Sequence, residues 1–258
     1  MAQMILNIRP AADSLRDAAT LSRRGVVSAC LPVMEIAMLA PPLPNVQEIC
    51  GLIFTSRHAV SAFVADMGTV VWLRVPVFVV GNATAAAARA AGFVSIFTGS
   101  GGGAELVPVI LRHVPVREGR ILWPAAVDKG FDMAMALRAH RYDVQTLDIY
   151  VAQPRVNIAM NEIEPIREGA VCGVIAMSSR SIHLFCQLLK KQRLDSRRAE
   201  ITLIAGSQSI ANAADSGWRQ IHVAGKPRRS RLLAIATLFY YRQHEEQVAS
   251  MVTDDGEI

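Results

Sequence analysis

Residues 50–63 read CGLIFTSRHAVSAF, and residues 172–185 read CGVIAMSSRSIHLF. Cys50, Gly51, Ile53, Ser56 and Phe63 recur as Cys172, Gly173, Ile175, Ser178 and Phe185, all at one offset. A second pair of stretches follows. VFVVGNATAAAARAAGF (77–93) is echoed by TLIAGSQSIANAADSGW (202–218), with Gly81, Thr84 and Gly92 matched by Gly206, Ser209 and Gly217. Self-similarity at a fixed spacing marks a duplicated structural unit. Two similar lobes imply a cleft between them, and ligands usually occupy clefts.

Outward from these stretches, short apolar runs alternate with segments of helical period. MILNI (4–8) precedes a helix over Ala12–Arg24, which Asp13 or Ser14 can cap and Gly25 ends. VVSACLPVMEI (26–36) reads as one extended piece interrupted by Pro32, and APPLPN (40–45) as a proline-rich connection. A helix runs from Ser56 to Met67, PVFVV (76–80) is a strand, and Ala83–Ala91 is a helix closed by Gly92. VSIF (94–97) is a strand, GSGGGAE (99–105) a flexible loop, and Leu106–His113 a helix.

RILWP (120–124) opens the second half, with a helix near Phe131–His140, and DVQTLDIYVAQ (143–153) mirrors 26–36. The strand CGVIAM (172–177), a helix over Ile182–Lys191, ITLIA (201–205), Ile210–Ser216, QIHVA (220–224) and a helix near Arg231–Arg242 complete the order. The polar, acidic stretch after His244 is expected to be disordered. Alternation of this kind calls for right-handed crossovers and parallel sheets, with strands such as GLIF apolar on both faces. The expected fold is α/β: two similar doubly wound, flavodoxin-like parallel-sheet lobes.

A chain of 258 residues accommodates one large domain or two ordinary ones. No run approaches the roughly 18–20 apolar residues of a membrane span. The N-terminus MAQMILNIRP lacks the features of a secretory signal, so a cytoplasmic location is expected. Cys30, Cys50, Cys172 and Cys186 form no CxxC pair and no metal-ligand spacing; they read as small buried hydrophobes, not disulfides. The net charge of +5 suits an anionic ligand. Its one dense cluster, Lys226-Pro-Arg228-Arg229-Ser-Arg231, reads either as a solvated basic loop or as an anion site, and no nucleic-acid-binding motif accompanies it.

In open parallel sheets, ligands bind beyond the carboxyl ends of the strands. Four turns there lead into helices: Thr55-Ser56-Arg57, Gly81-Asn82-Ala83-Thr84, Ser178-Ser179-Arg180 and Gly206-Ser207-Gln208-Ser209. Each offers hydroxyls and free N–H groups to carboxylate or phosphate, and each equally serves as an ordinary helix cap. Arg57 and Arg180 are either bidentate carboxylate contacts or surface charges. No P-loop, GxGxxG after the first strand, HExxH or GxSxG elbow is present, and the six histidines show no pairing that marks a base or metal site. Chemistry without metal or nucleotide is therefore expected. Tyr150, in DVQTLDIYVAQP, is either a proton donor or a half-buried structural tyrosine.

Over roughly Met4–Phe239 the chain resembles the uroporphyrinogen-III synthase family. The resemblance rests on the opening IRP with its RRGxxV-type helix exit, on LIFTSRHAVSAF, VVGNATAAAARAAGF, LDIYVAQP and MSSRSIHLF, and on their order. It implies two lobes joined by a two-stranded connection, with crossings near Pro32–Ile36 and Ile149–Pro154. Residues 1–33 and 155–243 would form one lobe, 36–151 the other, and 244–258 a tail.

The family closes hydroxymethylbilane, a linear tetrapyrrole with eight carboxylates, into uroporphyrinogen III without a cofactor. Ring D is inverted and water lost, by way of an azafulvene and a spirocyclic pyrrolenine. Tyr150 then matches the favoured acid, and Thr55, Ser56, Asn82, Thr84, Ser178, Ser179, Ser207, Gln208 and Ser209 fall on the substrate side. Many members carry GPTT or similar where this chain has Gly206-Ser-Gln-Ser, with Gln208 in place of a threonine. The resemblance also implies a monomer. Two other readings are a non-catalytic two-lobed binding protein and a two-lobed glycosyltransferase, whose usual fused domains or pyrophosphate signature are not seen in the sequence.

Overall fold

A computed structural model describes residues 3–66, 68, 70–116, 119–225 and 228–254; side chains at 66 and after 245 are outside the description. The chain runs β1 (Met4–Asn7), α1 (Ala11–Ser22), β2 (Ser28–Cys30), β3 (Met34–Met38), β4 (Ile49–Phe54), α2 (Arg57–Asp66), β5 (Val77–Val79) and α3 (Asn82–Ala90). It continues with β6 (Ile96–Thr98), α4 (Gly103–His113), β7 (Arg120–Ala126), α5 (Met133–Arg138), β8 (Asp143–Pro154) and α6 (Met160–Arg167). The last part holds β9 (Val171–Ala176), α7 (Ser179–Lys191), β10 (Thr202–Ala205), α8 (Gln208–Asn212), β11 (Gln220–Val223) and α9 (Arg229–Asp254).

These elements form two compact units, Met1–Glu35 with Gln153–Ile258, and Ile36–Ala152. One sheet has the order β11-β10-β9-β1-β2, the other β3-β8-β7-β4-β5-β6. The fold is α/β with parallel sheets, as expected, and the registers of β1, β2, β9, β10 and β11 and of β4 to β8 are parallel. Matching β7 and β8 to β1 and β2, and β4, β5 and β6 to β9, β10 and β11, makes the two orders the same. Each sheet is then assembled from the opening strands of one repeat and the closing strands of the other.

The repeated Cys-Gly pair shows why these residues recur. The Cys50 Sγ donates to the carbonyl of Arg120, first residue of β7, and the Cys172 Sγ to that of Met4, first residue of β1. The glycines make room for bulky neighbours. A Cβ on Gly51 would stand 3.2 Å from the Phe78 ring, and one on Gly173 would lie 2.9 Å from Ile5 and 3.0 Å from the Phe239 ring. Successive strand residues then serve opposite faces. Leu52 and Phe54 of β4 join the core under α2 and α3, and Ile53 the core with Leu106, Ile110 and Leu137 of α4 and α5.

Four sequence expectations need correction. Asp13 and Ser14 do not cap α1: Pro10 does, and no side chain caps it. Asp13 instead pairs with Arg9 at 2.9 Å, and the Ser14 hydroxyl donates to the Arg9 carbonyl at 2.7 Å. The piece 26–36 is two strands, because Pro32 lacks the ladder N–H; β2 joins one sheet and β3 the other. Helix α4 begins at Gly103, inside the stretch read as a loop. Helix α9 extends past His244 to Asp254, where a tail without structure was expected, and 255–258 lie outside the described residues. The expected helix end at Met67 and the start of the basic cluster, Lys226-Pro227, also fall outside them.

A buried polar knot closes the first unit. Asp17, 0% exposed, accepts from Asn7 at 3.1 Å, from Arg9 at 2.5 Å and from Arg229 at the start of α9. Arg229 also donates to the Arg16 carbonyl and the Thr20 hydroxyl, each at 2.9 Å. Among the described residues no helix is long and apolar enough to cross a membrane.

Candidate active site

In the second unit the turn after β4 sets Ser56 as the cap of α2: its Oγ accepts from the Ala59 N–H at 3.0 Å. The same Oγ lies 2.8 Å from the Tyr150 hydroxyl. β7 stands between β4 and β8 in the sheet, so the phenol reaches across one strand to meet the serine. Two strand spacings are about 10 Å. The reach is possible because the β7 residue in register with Tyr150 is Ala126, which puts almost nothing in the way.

Tyr150 is 8% exposed. Burial pushes its pKa up from the ordinary tyrosine value, and the Ser56 hydrogen bond pulls the other way. The group is a neutral phenol at physiological pH. With one Ser56 lone pair occupied by Ala59 N–H, its own hydrogen can point at the tyrosine oxygen. That geometry stabilises a tyrosinate as it forms and leaves the phenolic proton available to a third group.

Sequence reasoning passed over His58, which the turn places beside this pair. Its ring centroid lies 6.2 Å from that of Tyr150. The signal was its place two residues after Ser56. It also missed Lys129, after β7, whose ammonium donates to Asp148 at 2.6 Å and to the Val127 carbonyl at 3.2 Å. Of the other candidates here, Thr55 and Arg57 are half-buried, and Asn82 opens α3 exposed to solvent. Thr84, at 5% exposure, faces the interior.

In the first unit the equivalent turns carry hydroxyls in a cluster. Ser178 caps α7, accepting from the Ser181 N–H at 3.2 Å. Ser179 donates to the Ser209 carbonyl at 3.2 Å, and the Ser207 and Ser209 hydroxyls are 2.9 Å apart. Gln208 donates one of its two amide hydrogens to Asn212 at 2.8 Å. Arg180 is exposed. Among the described residues no group of three His, Cys, Asp or Glu could hold a metal ion.

Two solved structures resemble the chain over its length. Uroporphyrinogen-III synthetase from Helicobacter pylori is 16% identical, with a TM-score of 0.64 over 92% of this chain and 99% of that one. A mutant uroporphyrinogen III synthase from the extremely thermophilic bacterium Thermus thermophilus is also 16% identical, with a TM-score of 0.53 and the same coverage of 92% and 99%. At that identity they establish the shared fold. No curated protein matches the chain by sequence. The model of the family described as Uroporphyrinogen-III synthase HemD matches residues 16–234. The chain belongs to the uroporphyrinogen-III synthase family, the lyases that cyclise a tetrapyrrole in haem biosynthesis.

Proposed function

We propose that Tyr150, backed by Ser56, is the acid with which this lyase closes hydroxymethylbilane into uroporphyrinogen III. The observation that carries the assignment is the 2.8 Å contact between the two hydroxyls in a half-enclosed setting. Proton transfer from the phenol to the substrate hydroxyl releases water and leaves the azafulvene in its protonated form, and the proton shed when the closed ring rearomatises returns to the tyrosinate. The Ser56 hydroxyl donates to the tyrosinate left behind. Ring D then reacts through its substituted carbon, passes through the spirocyclic pyrrolenine and leaves inverted. Holding a flexible substrate in that geometry is the larger part of the task.

The eight substrate carboxylates need donors, a role we assign to Thr55, Arg57 and Asn82 in one unit and to Ser178, Ser179, Ser207, Gln208 and Ser209 in the other, leaving out the inward-facing Thr84. Helix N-termini favour anions there. We place the enzyme in the cytoplasm, as a monomer acting without cofactor, nucleic acid or membrane.

Freshly generated hydroxymethylbilane closes spontaneously to isomer I. The protein is expected to yield isomer III in excess, resolved as oxidised porphyrins; isomer I alone would remove the assignment. Tyr150→Phe should lower kcat by about 100-fold, the lower end of general-acid contributions, with an unchanged circular dichroism spectrum. Near-normal turnover in that variant would acquit Tyr150. Because burial raises its pKa, the phenol keeps its proton through the neutral range and past pH about 10. The pH–kcat profile should show no alkaline loss attributable to Tyr150 below that point.

A further inference from the structure

On the first unit, the edge strand β11 and the helix α9 enclose a recess of about 450 Å3 that the reaction does not use. Its polar lining is Arg219, Gln220, His222, Arg242 and Gln243, and among the described residues none that lines it is acidic. The rest of the wall is apolar, led by Phe239, whose ring centroid is 5.9 Å from that of His222. The Arg219 guanidinium donates to the Gln243 side chain at 2.8 Å, which holds it at the wall.

The floor carries an independent sign. β10 and β11 pair with Thr202 beside Gln220 and Ile204 beside His222. Register partners in a parallel pair point the same way, and Ile204 packs with Leu232, Leu233 and Ala236 of α9. Thr202 therefore faces α9, next to the recess. It is 0% exposed, and its Oγ has no hydrogen-bond partner among the described residues. Buried hydroxyls without partners are rare in folded chains and call for an explanation.

We propose that this recess is a second binding site, for a ligand with an oxyanion headgroup on a flat apolar body. Two guanidinium groups and an imidazole, with no carboxylate among the described lining residues, attract the headgroup, and arginine offers it bidentate donors. Phe239 and the aliphatic side chains of α9 receive the body. Gln220 and Thr202 open their strands, whereas Ser207 and Ser209 follow the opposite end of β10, so the site is distinct from the turns assigned to substrate.

Phenylacetate and phenyl phosphate share a ring and differ in headgroup, which makes them suitable probes of the intact protein. Long-range proton–nitrogen spectra of the histidine side chains report directly on His222, whose signals are identified by their loss in His222→Gln. One or both probes should shift the His222 signals saturably, and the stronger binder names the headgroup. Arg242→Ala, which removes an exposed side chain, should weaken that binding about tenfold or more, since a charged hydrogen bond is lost. Tyr150→Phe should bind as the parent does. Silence at His222 from both probes, undiminished affinity in Arg242→Ala, or binding lost in Tyr150→Phe would each overturn the proposal.

Discussion

Ser56 has two tasks that ordinary helix caps do not combine. It satisfies the Ala59 N–H at the head of α2 and supplies the hydrogen bond that draws the Tyr150 pKa downward. Ser56→Ala should therefore cost about 0.5–2 kcal/mol of stability through the lost cap, read as a lower chemical-denaturation midpoint. It should also slow turnover more than that instability explains, because Tyr150 becomes a weaker acid; Ser56→Thr should restore most of both. Equal activity in the alanine variant would confine Ser56 to its structural task. Both residues stand out in the sequence, one in a repeated turn and one in LDIY. Their pairing does not, since 94 residues separate them and only the order of the strands brings them together. His58 was passed over for a related reason: its place two residues after Ser56 gains meaning only once Tyr150 is known to lie beside it.

β7 lies between the two strands that carry the proposed acid and its support, and its Ala126 keeps the way open. Ala126→Leu should wedge the phenol away from Ser56 and lower activity toward that of Tyr150→Phe. The sheet tolerates the change, because the residue sits at the last position of its strand. An unaltered rate would show that the tyrosine reaches its partner by another route. Strands like this one were readable because they are apolar on both faces and bounded by turn residues. Where the reading went wrong, a short-range signal competed with a tertiary one. Asp13 and Ser14 look like caps but are drawn inward by Arg9 and Asn7. The glycines of 99–103 look like a loop, yet Gly103 is taken up as the first residue of α4. Polar composition after His244 suggests disorder, although the helix before it simply continues to Asp254.

The repeat was the most legible feature of the molecule, yet a repeat by itself does not say which strands assemble. The two sheets draw on both copies, an arrangement written in pairings more than a hundred residues apart, such as β1 with β9. A test follows from the connection. Gln153 donates to Glu35 at 2.8 Å and the Arg155 N–H to the Val33 carbonyl at 3.0 Å, so the cut ends of the first unit lie side by side. Replacing 36–152 with a short Gly-Asn-Gly turn should give a folded protein with dispersed amide signals and no isomer III synthesis, because Tyr150 and Ser56 are gone. A molten spectrum would show that the first unit needs the second. The knot at Asp17 has a consequence for synthesis. Arg229 lies 212 residues beyond its partner, and β1 waits on β9. On the ribosome, the contiguous stretch 36–152 can finish folding while translation continues. The stretch Met1–Glu35, made before that unit, must be kept from wrong partners until β9 and Arg229 have emerged.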